Sequence, residues 1–209
     1  MDRMEVVKVA RSYIGVHEDS KRHHDIIDIF NTVRADGYKA KYTDHWCAEF
    51  VSACFISAYG KELARRVFPL SASCIRMITK AKKMNIWVES DKYHALPGDV
   101  VLYDWQDSGK GDNRGTPDHV GIVSATSKDG VVVVEGNYSD KVKYRELKYN
   151  GKFIRGFITP HYNDGDRRII DKMADDVLKG KYGNGKERKE KLGAYYDAVQ
   201  AEVNRRLKK

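Results

Sequence analysis

HVGIVSATSKDGVVVVEGN, running from His119 to Asn137, decides how this chain folds. Two runs rich in β-branched residues, His119–Ala125 and Val131–Glu135, flank Lys128-Asp129-Gly130. That is the pattern of a β-hairpin with a tight turn. The turn centres near Asp129, so the start of the first strand faces the end of the second. His119 and Glu135 are therefore expected near one edge of the sheet.

Further strand signals lie on both sides of the hairpin. Leu96-Pro97-Gly98-Asp99 reads as a turn and Val100–Tyr103 as the strand behind it. Tyr144–Leu147 and Phe153–Ile158 add two more. A polar loop with Gly109, Gly111, Gly115 and Pro117 precedes His119. It lacks the GxxxxGK[ST] spacing of a phosphate-binding loop.

Upstream, the period changes to that of helices. Met4, Val7, Ala10 (or Arg11) and Ile14 recur at helical spacing, with Gly15 as a C-terminal cap. Ile26, Ile27, Ile29, Phe30 and Val33 predict a second helix, closing at Asp36-Gly37. The third runs from Trp46 to Tyr59 and ends at Gly60, with Phe50, Val51, Cys54, Phe55 and Ala58 as its apolar stripe. The fourth runs from Ser71 to Met84, behind serines suited to N-capping. Helices followed by antiparallel strands give an α+β fold.

The strand pattern stops at Thr159-Pro160. Residues 1–162 are expected to form one domain, 163–168 a linker and 169–209 a small three-helix bundle. In the bundle Ile169 or Ile170, Met173, Val177 and Leu178 mark one helix, and Gly183-Asn184-Gly185 a turn. Leu192, Tyr196, Val199, Val203 and Leu207 mark further helix, with a break at Gly193.

Three cysteines invite different readings. Cys47 stands at the predicted start of a helix, where the partial positive charge of the terminus stabilises a thiolate. Cys54 and Cys74 lie on apolar helical faces and read as core thiols. Cys54 sits two helical turns from Cys47, roughly 10 Å along the axis, too far for a disulfide. A thiol nucleophile needs an imidazole whose second nitrogen is held by a third group. His119 is placed to be that base, and Glu135 or Asn137 to orient it. A cysteine on a helix, a histidine on a strand and an orienting group on the next strand follow the papain-like logic of a thiol hydrolase. Tyr42, five residues before Cys47, is a candidate oxyanion donor. Adjacent His23 and His24 point about 100° apart on a helix, which is poor metal geometry.

Four motifs in order carry a resemblance. Trp46-Cys47-Ala48-Glu49-Phe50-Val51-Ser52, Leu96-Pro97-Gly98-Asp99-Val100-Val101, His119-Val120-Gly121-Ile122-Val123 and Val134-Glu135-Gly136-Asn137-Tyr138 resemble the CHAP family of cysteine, histidine-dependent amidohydrolases and peptidases. The resemblance implies Cys47 as nucleophile, His119 as base, Glu135 and Asn137 as polar partners, a papain-like α+β fold, and peptidoglycan as substrate. Some members carry an acidic calcium loop before the cysteine. Asp36-Gly37-Tyr38-Lys39-Ala40-Lys41 does not match it, so no metal and no cofactor is expected. The tail, with Gly180-Lys181-Tyr182-Gly183-Asn184-Gly185 and Val199-Gln200-Ala201-Glu202-Val203-Asn204, resembles the CW-seven type of cell-wall-binding repeat. That likeness implies wall contacts from Lys181, Tyr182, Gly183, Asn184, Arg188 and Gln200.

Composition narrows the classes further. Aromatic residues make up 11% and charged residues 33%, against about 25% charged in an average globular chain. This excludes a disordered, collagenous or disulfide-stapled protein. The uncharged stretch Phe50–Gly60 is far shorter than the roughly 20 residues of a membrane-spanning helix, so no membrane insertion is expected. Charges at Asp2, Arg3, Glu5, Lys8 and Arg11 interrupt any leader-like apolar run, so export by the usual route is not expected; the resemblance implies that the chain stays in the host-cell cytoplasm until lysis. The net charge is +8, and residues 161–209 carry half of it in under a quarter of the length. Such a tail suits an anionic polymer such as the bacterial wall. A nucleic-acid binder would rest on charge alone, without a recognition motif. The expected protein is an endolysin-like peptidoglycan hydrolase acting as a monomer, either an amidase or a peptide endopeptidase. The alternative is a catalytically inactive wall-binding protein.

Overall fold

The computed structural model describes residues 1–107, 115–149, 151–162 and 165–207, with side chains left out at 165–169 and 194. Gly109 and Gly111 of the polar loop lie outside the described residues, as do the first two linker residues, 163 and 164. The chain divides into two compact units, Arg3–His161 and Tyr162–Lys209 with Met1–Asp2.

The first unit opens with helices α1 (Arg3–Ser12) and α2 (Lys21–Asn31). Ser20 caps α2 by accepting the His23 N–H at 3.2 Å, the usual remedy for an orphan donor at a helix start. Helix α3 (Cys47–Tyr59) is buried at every position from Cys47 to Ile56. A helix apolar on all sides must be enclosed. Here α1 and α2 contact it, as do two strands of the sheet. Helices α4 (Lys61–Val67) and α5 (Cys74–Lys83) follow. The sequence did not announce α4, because seven residues are too few to display a helical period.

Six strands form one antiparallel sheet: β1 (Trp87–Val88), β2 (Val100–Tyr103), β3 (His119–Thr126), β4 (Gly130–Glu135), β5 (Lys143–Lys148) and β6 (Ile154–Ile158). Their order is β1-β6-β2-β3-β4-β5. β1 is only two residues long and exists through its pairing with β6, Trp87 opposite Ile158 and Val88 opposite Phe157. The hairpin forms as β3 and β4, with Gly121 opposite Glu135 and a bulge between Val123 and Ala125. On the other side of β3, Tyr103 stands opposite His119.

Two glycines set how closely these layers meet. A Cβ on Gly136 would lie 2.4 Å from Phe50 Cβ, so the end of β4 touches α3 where only hydrogen fits. A Cβ on Gly121 would lie 2.8 Å from Glu135 Cγ and 2.5 Å from Val133 Cγ1. The missing methyl at Gly121 is the space into which the Glu135 side chain leans toward His119.

The second unit contains α6 (Gly165–Leu178), α7 (Gly185–Leu192) and α8 (Tyr196–Leu207), so residues 165–168, expected as linker, are the first turn of a helix. α8 packs on both others. Ile170, Ala174, Val177, Leu192, Val199 and Val203 are buried between them. The break expected at Gly193 is present, as a 3-10 turn over Gly193–Tyr195 with Gly193 at φ 52°.

Candidate active site

Cys47 is the first residue of α3 and is almost wholly buried. Trp46 before it makes no side-chain cap, which leaves the amide groups of the helix start facing the thiol. Trp46 instead anchors the approach to the helix. Its indole N–H donates to Glu18 Oε2 at 2.9 Å, and its ring packs on His23 at 4.7 Å.

Three groups act on the Cys47 thiol: the Cys74 thiol, the His119 imidazole and the Ala48 N–H. The Cys74 hydrogen bond, then the bond to and charge of His119, then the backbone amide hold the Cys47 thiol well below its usual range. They outweigh burial, which pushes the other way. His119 answers in kind. Burial pulls its imidazole down, but hydrogen bonds and charge from Cys47 and Glu135 raise it from 6.5 to about 9. Both shifts favour the thiolate–imidazolium form of the pair.

Glu135 is completely buried and sits behind His119, with His119 Nε2 donating to its Oε2 at 3.0 Å. That leaves Nδ1 to face the sulfur. Glu135 has two more partners. Tyr103 Oη donates to Oε1 at 2.6 Å, and Arg145 Nε donates to both carboxylate oxygens at 2.7 and 3.0 Å. Burial would raise this carboxyl, but His119, Arg145 and Tyr103 together hold it below its usual range. The arrangement can keep an imidazole in one orientation while it gives and takes a proton.

Residues 37–137 match the family model of the CHAP domain, and residues 171–207 match that of the CW_7 repeat. The chain carries a CHAP domain followed by a CW_7 repeat. A CHAP domain implies cysteine-dependent hydrolysis, and a CW_7 repeat implies an interaction with the cell wall. No curated protein and no solved structure matches the chain. Among the described residues, no helix is long and apolar enough to cross a membrane.

Within the CHAP domain, Cys47, His119 and Glu135 come together. Asn137 does not join them. Its side chain makes no hydrogen bond among the described residues, and Glu135 already occupies His119 Nε2. Asn137 sits at φ 56°, a left-handed conformation that Asn tolerates better than most residues. Tyr42 is committed elsewhere, its hydroxyl donating to Asp28 Oδ1 at 3.0 Å and its ring stacked on His24.

Three partners escaped the sequence reading. Tyr103 and Arg145 complete the Glu135 cage, and Cys74 is the largest influence that lowers the Cys47 thiol although it reads as an ordinary core residue. Arg145 carried a faint signal. In Lys143–Lys148 alternate residues are half-buried, and an arginine on the inward face of a strand needs an acidic partner. Its guanidinium also lies 3.9 Å from the Tyr138 ring and 4.9 Å from that of Trp105, a cation–π sandwich that fixes its plane.

Glu49, two residues after Cys47, is another buried charge-bearing group. Burial first, then the negative charges of Cys47 and Asp44, push its carboxyl up to about 8, so it is protonated at neutral pH. Asp19, His23 and His24 are the described residues that could hold a metal, each offering a ligand atom within 4.8 Å of the others. The two histidines thus converge more than their adjacency predicts, because Asp19 N–H donates to His23 Nδ1 at 3.2 Å and Tyr42 holds the His24 ring.

In the CW_7 repeat, Arg188 Nε and Nη2 donate to Gly183 O at 3.0 and 2.8 Å, Nη2 to Asn184 Oδ1 at 2.8 Å and Nη1 to Gln200 Oε1 at 3.1 Å. Four of the six expected wall-binding residues are thus bound to one another. Lys181 pairs with Asp176 at 2.7 Å, and Tyr182 is half-exposed.

Proposed function

We propose that this protein is an endolysin-like peptidoglycan hydrolase that cuts an amide bond of bacterial cell-wall peptides. The His119–Glu135 hydrogen bond, with His119 holding the Cys47 thiol down, carries the reading. The Cys47 thiolate attacks the amide carbonyl carbon. The oxyanion that forms is held by the Cys47 backbone N–H at the start of α3. The His119 imidazolium then gives its proton to the leaving amine, and a thioester remains on Cys47. His119, now neutral, takes a proton from water, which attacks the thioester and restores the resting pair. Glu135 holds the imidazole in one orientation throughout, and Tyr103 and Arg145 hold Glu135.

The bond cut is either the N-acetylmuramoyl-L-alanine amide or a peptide bond of the stem or bridge. Residues 1–162 carry the chemistry and 169–209 hold the wall, joined by 163–168. Lys181, Tyr182, Gly183, Asn184, Arg188 and Gln200 supply the wall-binding surface. One copy of the chain acts alone, waiting in the host cytoplasm until lysis admits it to the wall.

Digestion of purified peptidoglycan with end-group analysis tests this. Newly exposed N-terminal alanine marks the amidase, and new bridge or stem termini mark the endopeptidase. Cys47→Ala should pellet with walls as the wild type does and release nothing. Wall binding without lysis by either protein would leave only the inactive wall-binding alternative standing.

A further inference from the structure

Arg145 spends one donor on the catalytic residues and keeps the rest. Its Nε–H serves Glu135, and no other hydrogen bond holds the guanidinium among the described residues. The N–H groups of Nη1 and Nη2 are left over. The side chain is half-buried, with 22% of its surface still open to solvent. Tyr138 lies against the guanidinium and Trp105 beside it, so the edge is what remains open to a ligand. Lys143 shares the half-buried face of β5 with Arg145, and its Nζ is 4.9 Å from the centre of the Tyr138 ring. Arg145 and Lys143 bring two positive charges to this corner of the sheet. Among the described residues, the one carboxylate paired with either is Glu135, which is itself bonded to His119.

The corner belongs to the rim of the catalytic site. Trp105 links the two, its ring centre 6.0 Å from that of His119 and 4.9 Å from Arg145 Cζ. Tyr138 is held there by a strained turn. Asn137, Ser139 and Asp140 have φ of 56°, 48° and 57°, left-handed conformations that persist only where the surroundings over-determine them. Tyr138 N–H donates to Lys141 O at 2.9 Å, Glu18 N–H to Asp140 O at 2.8 Å and Val142 N–H to Val16 O at 2.8 Å. Glu18 also accepts the indole N–H of Trp46, the residue before Cys47. The turn that presents Tyr138 is thus tied to the segment that leads into the nucleophile.

We propose that Arg145 and Lys143 bind a carboxylate of the wall peptide close to the scissile amide, and that this contact makes the enzyme prefer an acidic stem peptide to its amidated form. The proposal rests on the reading of the chain as a wall-peptide hydrolase. A carboxylate is planar and matches the paired N–H groups at the end of a guanidinium, in a charge-assisted bond. Arg145 supplies that fork, and Lys143 a second charge on a flexible stem. The aromatic rings and Glu135 hold the guanidinium in place beforehand, so little freedom is lost when the ligand arrives. An extended substrate covers roughly 3.5 Å per residue, so about three residues pass from the imidazole beyond Trp105 to Arg145. The second residue of a wall stem peptide is a D-glutamate linked through its side chain. Its α-carboxyl is left either free or amidated, close to the muramoyl–alanine amide and to the first peptide bonds of the stem.

The test compares two muramoyl peptides that differ in one group, D-isoglutamate or D-isoglutamine at the second position. Calorimetric titration into the full-length Cys47→Ala chain reads binding without hydrolysis, and wild-type turnover reads kcat/KM. The acid should bind about tenfold more tightly than the amide and be cut with a kcat/KM about tenfold higher, chiefly through KM. Lys143→Met, alone for turnover and with Cys47→Ala for binding, should shrink that preference to about threefold or less. Lys143→Arg should restore it, and added salt should weaken it. Equal binding of acid and amide, binding of neither, or a preference that Lys143→Met leaves intact overturns the carboxylate site, whatever the wild type hydrolyses. Binding that favours the acid while the wild type cuts neither peptide upholds the site and overturns the hydrolase reading.

Discussion

Arg145 in the CHAP domain and Arg188 in the CW_7 repeat each make several hydrogen bonds, but to unlike partners. Arg145 meets the fully buried carboxylate of Glu135, which is itself bonded to His119 and Tyr103. Arg188 meets a backbone carbonyl and two neutral amide side chains at the surface. In the first unit, charge is taken out of water, where each partner fixes the protonation state of the next. In the second, charge stays near water and shapes a loop. Losses in the first unit should therefore be large and pH-dependent. Losses in the second should be small and salt-dependent.

Glu135→Gln should break the first arrangement most severely. It removes the charge that holds the imidazolium, and hydrolysis is expected to drop about a thousandfold. The alkaline limb of the rate profile, set by proton loss from His119 near 9, should move down toward 6.5. An unshifted limb would mean that Glu135 does not govern the imidazole.

Glu49→Gln tests burial in the opposite direction. The Glu49 carboxyl rises from 4.5 to about 8 on folding. Between those values the folded chain keeps a proton that the unfolded chain has released, so this residue lowers stability as pH rises through the window. At about 1.4 kcal/mol per pH unit, the glutamine variant should be more stable by ~3 kcal/mol at pH 7 and equal near pH 4. Denaturant melts at the two pH values read this directly, and an equal difference at both would refute the assignment.

Gly121→Ala adds no charge and probes geometry alone. The new methyl needs the space that Glu135 Cγ and Val133 Cγ1 occupy, and overpacking of that kind costs ~2 kcal/mol. Its turnover should fall more than its melting point alone explains, because the carboxylate is turned from His119. Unchanged turnover at a temperature where the variant is folded would remove Gly121 from the list of positioning residues.

Arg188→Ala should have the smallest effect, ~1 kcal/mol from the repeat, as lost surface hydrogen bonds usually give. Wall pelleting should weaken, more so at high salt, while hydrolysis of soluble wall fragments is unaffected. A loss as large as that from Glu135→Gln would erase the contrast between the two arginines.

The sequence made some of this legible and hid the rest for physical reasons. The hairpin could be read because turn chemistry and β-branched runs are local, and α3 because its apolar stripe is long. His119 and Glu135 were reachable from the hairpin alone, since a two-strand register follows from the turn between them. Tyr103 and Arg145 were not. Each meets Glu135 from a different strand, and the order in which β2 and β5 flank the hairpin is not written in either strand. Cys74 was hidden by its surroundings in sequence: an apolar helical face looks the same whether it meets core side chains or acts on another thiol. Asn137 drew notice because it follows Glu135 in a motif, and its left-handed backbone now accounts for an asparagine there.

The three tryptophans, Trp46, Trp87 and Trp105, all fall in Arg3–His161. Trp46 is sealed beside Cys47, and Trp105 stacks on Tyr103 with ring centres 4.9 Å apart. Indole emission is thus an optical label for the hydrolase unit alone, while circular dichroism at helical wavelengths sees both. One denaturation experiment with two detectors can tell whether the units melt together or in succession, with no dye attached and no residue changed.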